Sequence, residues 1–504
     1  MSLSLQLPFE LVLLLFLPFL LLLSFKQSFS KKARLPPSPP KFPFIGNLHQ
    51  LGPLPHRSLQ GLAEKHGPLM LLHLGQVPTL IVSSAEMARE IMRTHDHIFA
   101  SRPPMKAAKI LLCDGRDVGF APYGECWRYA KKVCIIHLLS NKKVQSFRLA
   151  REEEVALMIR NISRASLTPD PLNVSEILHA FACDMLCRVV SGKSFREGRN
   201  KLFRELLKES SALLGEFRLE DYFPSLAWMD VFLGMSVRAR RIAERWSGVL
   251  DEVIKEHADQ VKDEKHEEDF VDVLLSLQKD PGADLALTKE DIKALLEDMF
   301  GAGIDTSYIV LEWAMVELVR NSQVMEKLQD EVRIIAAGKG LVREEDLGEV
   351  SYLKYVIKEV LRLHPPAPLL LPRETMDDCR IEGYEIPRKT RVIVNGWAIG
   401  RDPKFWEAPE EFRPERFMDN KIDFKGNDFQ FIPFGSGRRM CPGMNFAIST
   451  VELALANLMH CFDWELPHGI RREDLDMTEA LGITTPRKQR LHLVAKPCGY
   501  YNDL

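Results

Sequence analysis

The chain has 504 residues, 46% apolar, 27% charged and 9% aromatic, a globular composition that excludes wholesale disorder and collagen- or porin-like architectures. Its 67 Lys and Arg against 70 Asp and Glu give a formal net charge of −3, so no nucleic-acid partner is expected and any electrostatic recognition must be local. Nine cysteines, at 113, 126, 134, 183, 187, 379, 441, 461 and 498, include no C-x-x-C pair, which excludes a secreted disulfide framework and a zinc knuckle.

Residues 3–25 are apolar apart from Glu10 and a few uncharged polar side chains. That length spans a bilayer as one helix. Lys26, Lys31, Lys32 and Arg34 follow, and no basic side chain precedes. The positive-inside bias therefore keeps the bulk of the chain cytoplasmic. With no basic start and no small-x-small cleavage site, the segment reads as an anchor rather than a cleaved signal peptide. Residues 1–25 are assigned as a transmembrane anchor. Residues 26–43 form a basic and proline-rich hinge, with prolines at 36, 37, 39, 40 and 43 acting as a stiff spacer. Residues 44–504 form one body without a second linker or internal repeat.

Strand patterns in this body are short: Leu69–Leu74, Thr79–Val82, Val392–Val394 and Leu491–Val494. Helical i, i+3, i+4 periodicity covers 145–165, 176–190, 236–262, 289–320 and 351–363, so the expected fold is mainly α with small β-sheets. His179, Cys183 and Cys187 share one helical face. Their neighbours Ile177, Ala180, Met185 and Leu186 make that face an ordinary core stripe. The charged run 263–269 reads as a solvated loop. Thr288-x-x-Asp291 is a capping box that opens the longest helix, about 30 residues and long enough to cross the body.

Inside that helix lies Ala302-Gly303-Ile304-Asp305-Thr306-Ser307, preceded by Gly301. No strand comes before these glycines, so they are not a dinucleotide loop. Two glycines, an aspartate and a threonine in a helix interior predict a locally opened turn, with the Thr306 hydroxyl on a backbone carbonyl. Further on, Glu359 and Arg362 stand one turn apart and can pair. Last comes Phe434-Gly435-Ser436-Gly437-Arg438-Arg439-Met440-Cys441-Pro442-Gly443, leading into a helix at Met444–Met459. Pro442 fits the helix's first turn, so Cys441 is expected at the N-terminus. There the helix dipole, Arg438 and Arg439 favour thiolate, a soft and strong metal ligand.

The F-x-x-G-x-R-x-C-x-G spacing resembles the haem-binding signature of the cytochrome P-450 superfamily, and the other motifs agree in order. Glu359-x-x-Arg362 and Phe412-Arg413-Pro414-Glu415-Arg416-Phe417 resemble its E-x-x-R and P-E-R-F segments. Residues 302–307 resemble its oxygen-activation motif. Glu312-Trp313-Ala314-Met315 and the stretch 395–403 look like the plant A-type (family 71-like) branch. The resemblance implies the haem-thiolate fold with a long central helix and small sheets. It implies haem b held through Cys441. Asp305 and Thr306 would deliver protons during oxygen activation, and Trp127, Lys131, Arg373 and Arg439 would contact the haem propionates. Lys131 stands where the family usually has arginine, and offers charge without a bidentate fork. Glu359, Arg362 and Arg416 would form a buried, fold-retaining cluster.

The implied function is that of a microsomal monooxygenase. It would oxidise a lipophilic small molecule, a plant specialised metabolite, with O2 and NADPH-derived electrons. Its expected partners are an NADPH–cytochrome reductase, a cytochrome b-type donor, the substrate and membrane lipid. Its expected location is the endoplasmic reticulum membrane, single-pass, with the catalytic body in the cytosol. Two rivals are a haem-thiolate isomerase or dehydratase and a catalytically silent haem-binding membrane scaffold; the intact Asp305–Thr306 pair argues against both. The substrate pocket is expected from 101–120, 211–217, Ala302, Ala367–Leu371 and Ile483–Thr485. Reductase docking is expected on Lys131, Lys132, Lys142, Lys143 and Arg438.

Overall fold

The computed structural model describes residues 34–168, 170–193, 199–259, 268–280 and 287–498. The anchor assigned to residues 1–25, the first part of the hinge and most of the charged run 263–269 lie outside the described residues. Among the described residues, no helix is long and apolar enough to cross a membrane.

In chain order the elements that position the site are α1 (Pro55–His66), β1 (Leu69–Leu74), β2 (Val77–Val82), α2 (Glu125–Val133), α3 (Arg148–Ala165), β3 (Leu172–Asn173) and α4 (Val174–Ser191). There follow α5 (Arg199–Gly215), α6 (Met235–Asp259), α7 (Phe270–Lys279), α8 (Lys289–Arg320), α9 (Ser322–Ile335) and α10 (Ser351–Leu363). Then come β4 (Arg373–Glu374), β5 (Cys379–Ile381), β6 (Tyr384–Ile386), β7 (Arg391–Val394), α11 (Met444–Cys461), β8 (Phe462–Glu465) and β9 (His492–Pro497). The periodic segments and the apolar runs of the sequence thus become helices and strands with small shifts at their ends.

One sheet has the order β1-β2-β7-β4, with β2 and β7 parallel and the other pairs antiparallel. A three-stranded sheet runs β3-β9-β8, and β5 and β6 form a hairpin. The hairpin turns on Glu382 and Gly383, both at positive φ, as a two-residue turn matched to strand twist requires. The described end of the hinge is bonded to these sheets: Leu71 N donates to Pro37 O (2.9 Å) and Glu385 N to Arg34 O (2.8 Å).

The largest core cluster gathers around the second half of α8, with α3, α9, α10 and α11 against it. Burial on all sides is why α8 carries no amphipathic stripe: Leu311, Ala314, Met315, Val316 and Leu318 are all fully buried. Its start carries the expected capping box, with Thr288 and Asp291 bonding each other's backbone N–H.

At the start of α10's last turn, Glu359 accepts two hydrogen bonds from Arg362 (2.8 Å each), one from Arg416 Nε (2.9 Å) and one from Arg413 N (2.9 Å). The Glu359 and Arg362 side chains are wholly buried. Arg362 also donates to the carbonyls of Gly400, Pro409 and Glu411. This ties α10 to the segment leading to the cysteine loop, as the resemblance implies.

Candidate active site

The cysteine loop is shaped by glycine. Gly435 and Gly437 both have φ +70°, and a Cβ on Gly437 would lie 2.3 Å from Met92 O, so only glycine fits there. Cys441 N donates to Phe434 O (3.0 Å), closing the loop, and Lys131 Nζ donates to Met440 O (2.6 Å). Gly443 is the N-cap of α11, so Pro442 precedes the cap instead of occupying the first turn.

Two opposing influences act on the Cys441 thiol of the haem-free chain. Burial is the largest influence and raises the Cys441 pKa. The N–H groups of Gly443 and Met444 and the Lys131 ammonium pull it down, as the helix-terminus argument requires, but do not outweigh burial. The thiol lies deep in the fold, and the surface it keeps faces an internal cavity.

That cavity has a volume of about 370 Å³, within the range of small-molecule and cofactor sites. All seven residues singled out in the sequence border it: Trp127, Lys131, Asp305, Thr306, Arg373, Arg439 and Cys441. So do Phe120, Ser211, Ala302, Ala367, Leu371, Ile483 and Thr484, drawn from the segments expected to form the pocket.

Arg439 donates to the carbonyls of Ala100 (2.7 Å) and Ala121 (2.7 Å), and its guanidinium lies 4.0 Å from the Trp127 ring. The Trp127 indole N–H is bonded to Val118 O (3.0 Å). Arg373 donates to Ser436 O (2.9 Å) and pairs with Asp96 at 3.5 Å. Sequence reasoning missed Arg102, which is buried and held by the carbonyls of Gly119, Leu371 and Pro372. The signal was there: a lone cation in the apolar run Ile98–Pro104. Burial is the first cause of depressed pKa values in all three, to about 9 in Arg439 and about 10 in Arg373, and their mutual repulsion deepens the effect in Arg102 and Arg439. Lys131 is lowered by burial too. It lines the cavity and is half-buried.

Across the cavity, α8 is continuous through 301–307, so the expected opened turn does not take the form of a break. The glycines explain why. A Cβ on Gly303 would sit 2.8 Å from Leu186, so this glycine lets α8 approach α4, and a Cβ on Gly301 would meet no atom within 4 Å. The Thr306 hydroxyl does bond a backbone carbonyl, that of Ala302, at 2.7 Å. Asp305 accepts a hydrogen bond from Ser211 Oγ of α5 (2.6 Å), with His179 Nε2 at 4.0 Å. Cys183 and Cys187 are fully buried core residues, as their stripe predicts, whereas His179 reaches the edge of the site.

Three guanidiniums and an ammonium around one cavity, held mostly by neutral carbonyls, suit a ligand carrying carboxylates. With a cysteine lining the same cavity as a soft metal donor, the residues fit a haem. Fold and site together define a helical haem-thiolate oxidoreductase.

The comparisons agree. The family profile "Cytochrome P450" matches residues 36–494, and the chain belongs to that family. It is 53% identical to cytochrome P450 71A1 of Persea americana over 90% of this chain and 91% of that one. It is 49% identical to indole-2-monooxygenase of Zea mays over 92% of this chain and 88% of that one. A zebra fish cytochrome P450 structure with abiraterone covers 88% of this chain and 100% of that one, at TM-score 0.72 and 24% identity, a likeness of fold. The chain is a plant family-71-like cytochrome P450 monooxygenase, and its family carries haem on a cysteine thiolate.

Proposed function

We propose that Cys441 is the thiolate ligand of haem iron. Arg373 and Arg439, with Arg102, hold the propionates, and Lys131 steadies the cysteine loop through Met440 O. Haem, when bound, supplies the oxidising chemistry, and thiolate ligation pushes electron density toward O–O cleavage. The chain's own residues bring substrate and protons to it. The observation that carries this reading is the meeting of Cys441 and the Asp305–Thr306 pair on opposite walls of one cavity. The Thr306 hydroxyl donates its hydrogen bond to Ala302 O, which leaves its oxygen lone pairs to accept one from a group in the cavity that it borders. Asp305 is held by the Ser211 hydroxyl beside it.

The substrate is a lipophilic plant specialised metabolite, inserted through a wall of Phe120, Leu214, Leu371 and Ile483. Relatives named strychnine-11-hydroxylase and phenylacetaldehyde oxime monooxygenase support that class. Electrons come from NADPH through a reductase, with a cytochrome b-type donor as a second source. Residues 1–25 anchor the protein in the endoplasmic reticulum membrane, with residues 44–504 as the cytosolic catalytic domain. Exposed aromatics support a membrane-facing side: Phe44 stacks on Phe223 at 5.2 Å, and the following turn carries Trp228, 62% exposed, ahead of Phe232, 80% exposed.

The test uses two variants. Cys441→Ser is expected to abolish the red-shifted Soret band of the reduced carbon-monoxide complex. Thr306→Ala is expected to keep that band and NADPH oxidation while diverting electrons to peroxide. An unchanged product yield per NADPH would overturn the role of the hydroxyl, and turnover without NADPH and reductase would favour the isomerase.

A further inference from the structure

One carboxyl on the α8 wall takes no part in the scheme above. Glu297 is 7% exposed, its Oε2 has no hydrogen-bond partner, and the residue borders the active-site cavity. It stands one turn before Gly301, beside which a Cβ would meet no atom within 4 Å, and two turns before Asp305. Glu297, Gly301 and Asp305 thus mark a track along one face of α8, about 12 Å long at 1.5 Å per residue. A second cavity of about 260 Å³, between α6, α8 and the short helix Lys106–Leu111, shares Leu111 and Glu297 with the first. Glu297 therefore sits in the partition between two cavities.

Its neighbours are already engaged. Asp117 and Asp298 accept the backbone N–H groups of Phe120 and Val118. Lys293 donates to Ser247 (2.8 Å) and pairs with Asp251 (2.7 Å). Burial, with Asp298 and Asp117 alongside, pushes the Glu297 carboxyl well above the usual carboxylate range, and Lys293 opposes this. Cys113 and, from α6, Arg240 and Glu244 complete the ionisable groups around the outer cavity. Glu297 Oε2 is thus a buried carboxyl oxygen on the cavity wall, open to a hydrogen-bond donor entering from the cavity.

We propose that Glu297 is the recognition residue for a basic nitrogen. The substrate is then an elongated lipophilic amine whose ammonium pairs with Glu297 while its apolar end lies toward Asp305, about 12 Å away along α8. This rests on the monooxygenase reading and names the substrate class for it.

The experiment measures dissociation constants by calorimetry on the holoenzyme. The probes are a tertiary amine with a phenylhexyl tail and its isosteric hydrocarbon, in which C–H replaces N–H. In Glu297→Gln, affinity for the amine is expected to fall about tenfold or more, while affinity for the hydrocarbon holds. That fall corresponds to one unit or more in log Kd. Equal loss for both probes, no loss for either, or no amine binding by the wild type would overturn the proposal. The carbon-monoxide spectrum, read on the same samples, separates this from failure of the haem site itself.

Discussion

Two groups of buried arginines in this protein do opposite work. Around Glu359, the guanidiniums of Arg362 and Arg416 share one carboxylate and spend their remaining N–H groups on carbonyls, so a carboxylate within the fold sits between them. Around the cavity, Arg102, Arg373 and Arg439 face mainly neutral carbonyls and one another, and burial lowers their pKa values. The first arrangement is complete as it stands. The second has positive charge in surplus, which only an anionic ligand would balance. The contrast separates residues that hold the fold from residues that hold a cofactor, although both are arginines of similar burial.

The comparison can be broken most sharply at Glu359. Glu359→Gln leaves two buried guanidiniums without their carboxylate and is expected to cost about 3–5 kcal/mol, read as the shift of the urea midpoint. A shift below about 1 kcal/mol would show that the cluster is not held as described. Arg439→Leu should do the reverse. It removes surplus charge, so the unfolding midpoint of the haem-free chain stays near wild type while haem per polypeptide falls. The loss corresponds to about 1.5–3 kcal/mol of charge-assisted bonding. A proportional fall in both would merge the two groups into one.

A third, smaller group sharpens the rule. Glu479 is raised by burial, but hydrogen bonds from His56 and Arg57 outweigh this and hold it at about 2. Because the folded value is depressed, its contribution is full above the unfolded value of about 4.3 and is lost as pH falls toward about 2. Glu479→Gln is therefore expected to flatten the acid side of the stability curve and to leave haem content unchanged. Smallest of all, the exposed lysines should matter only for docking. Lys132→Glu with Lys142→Glu is expected to slow reductase-driven turnover a few-fold at low salt, with little effect at high salt and none on peroxide-supported turnover.

Much of this was legible in the sequence, for identifiable reasons. Helices such as Ser351–Leu363 were readable because one face is apolar at every third or fourth position. The cysteine loop was readable because its glycines are demanded by local geometry, as the 2.3 Å approach at Gly437 demonstrates. Gly303 was misread as loosening α8, because nothing in the local sequence reveals that Leu186, far away in the chain, presses on it. The partners of Asp305, Ser211 and His179, could not be paired with it from the sequence for the same reason. Their meeting with Asp305 depends on how α4 and α5 pack on α8, not on any spacing along the chain.

The prolines ahead of the body have a consequence for solubility. β1 is an edge strand, and edge strands recruit other chains. Here the outer side of β1 is occupied: Leu71 N is taken by Pro37 O, His73 O by Asn47 N, and His73 N by the Asn47 side chain. Pro36, Pro37, Pro39 and Pro40 have no N–H to offer a further strand, so the cover cannot itself become a template. Shortened versions of the protein that begin before Arg34 keep this seal, and those that begin after Asn47 open it to self-association.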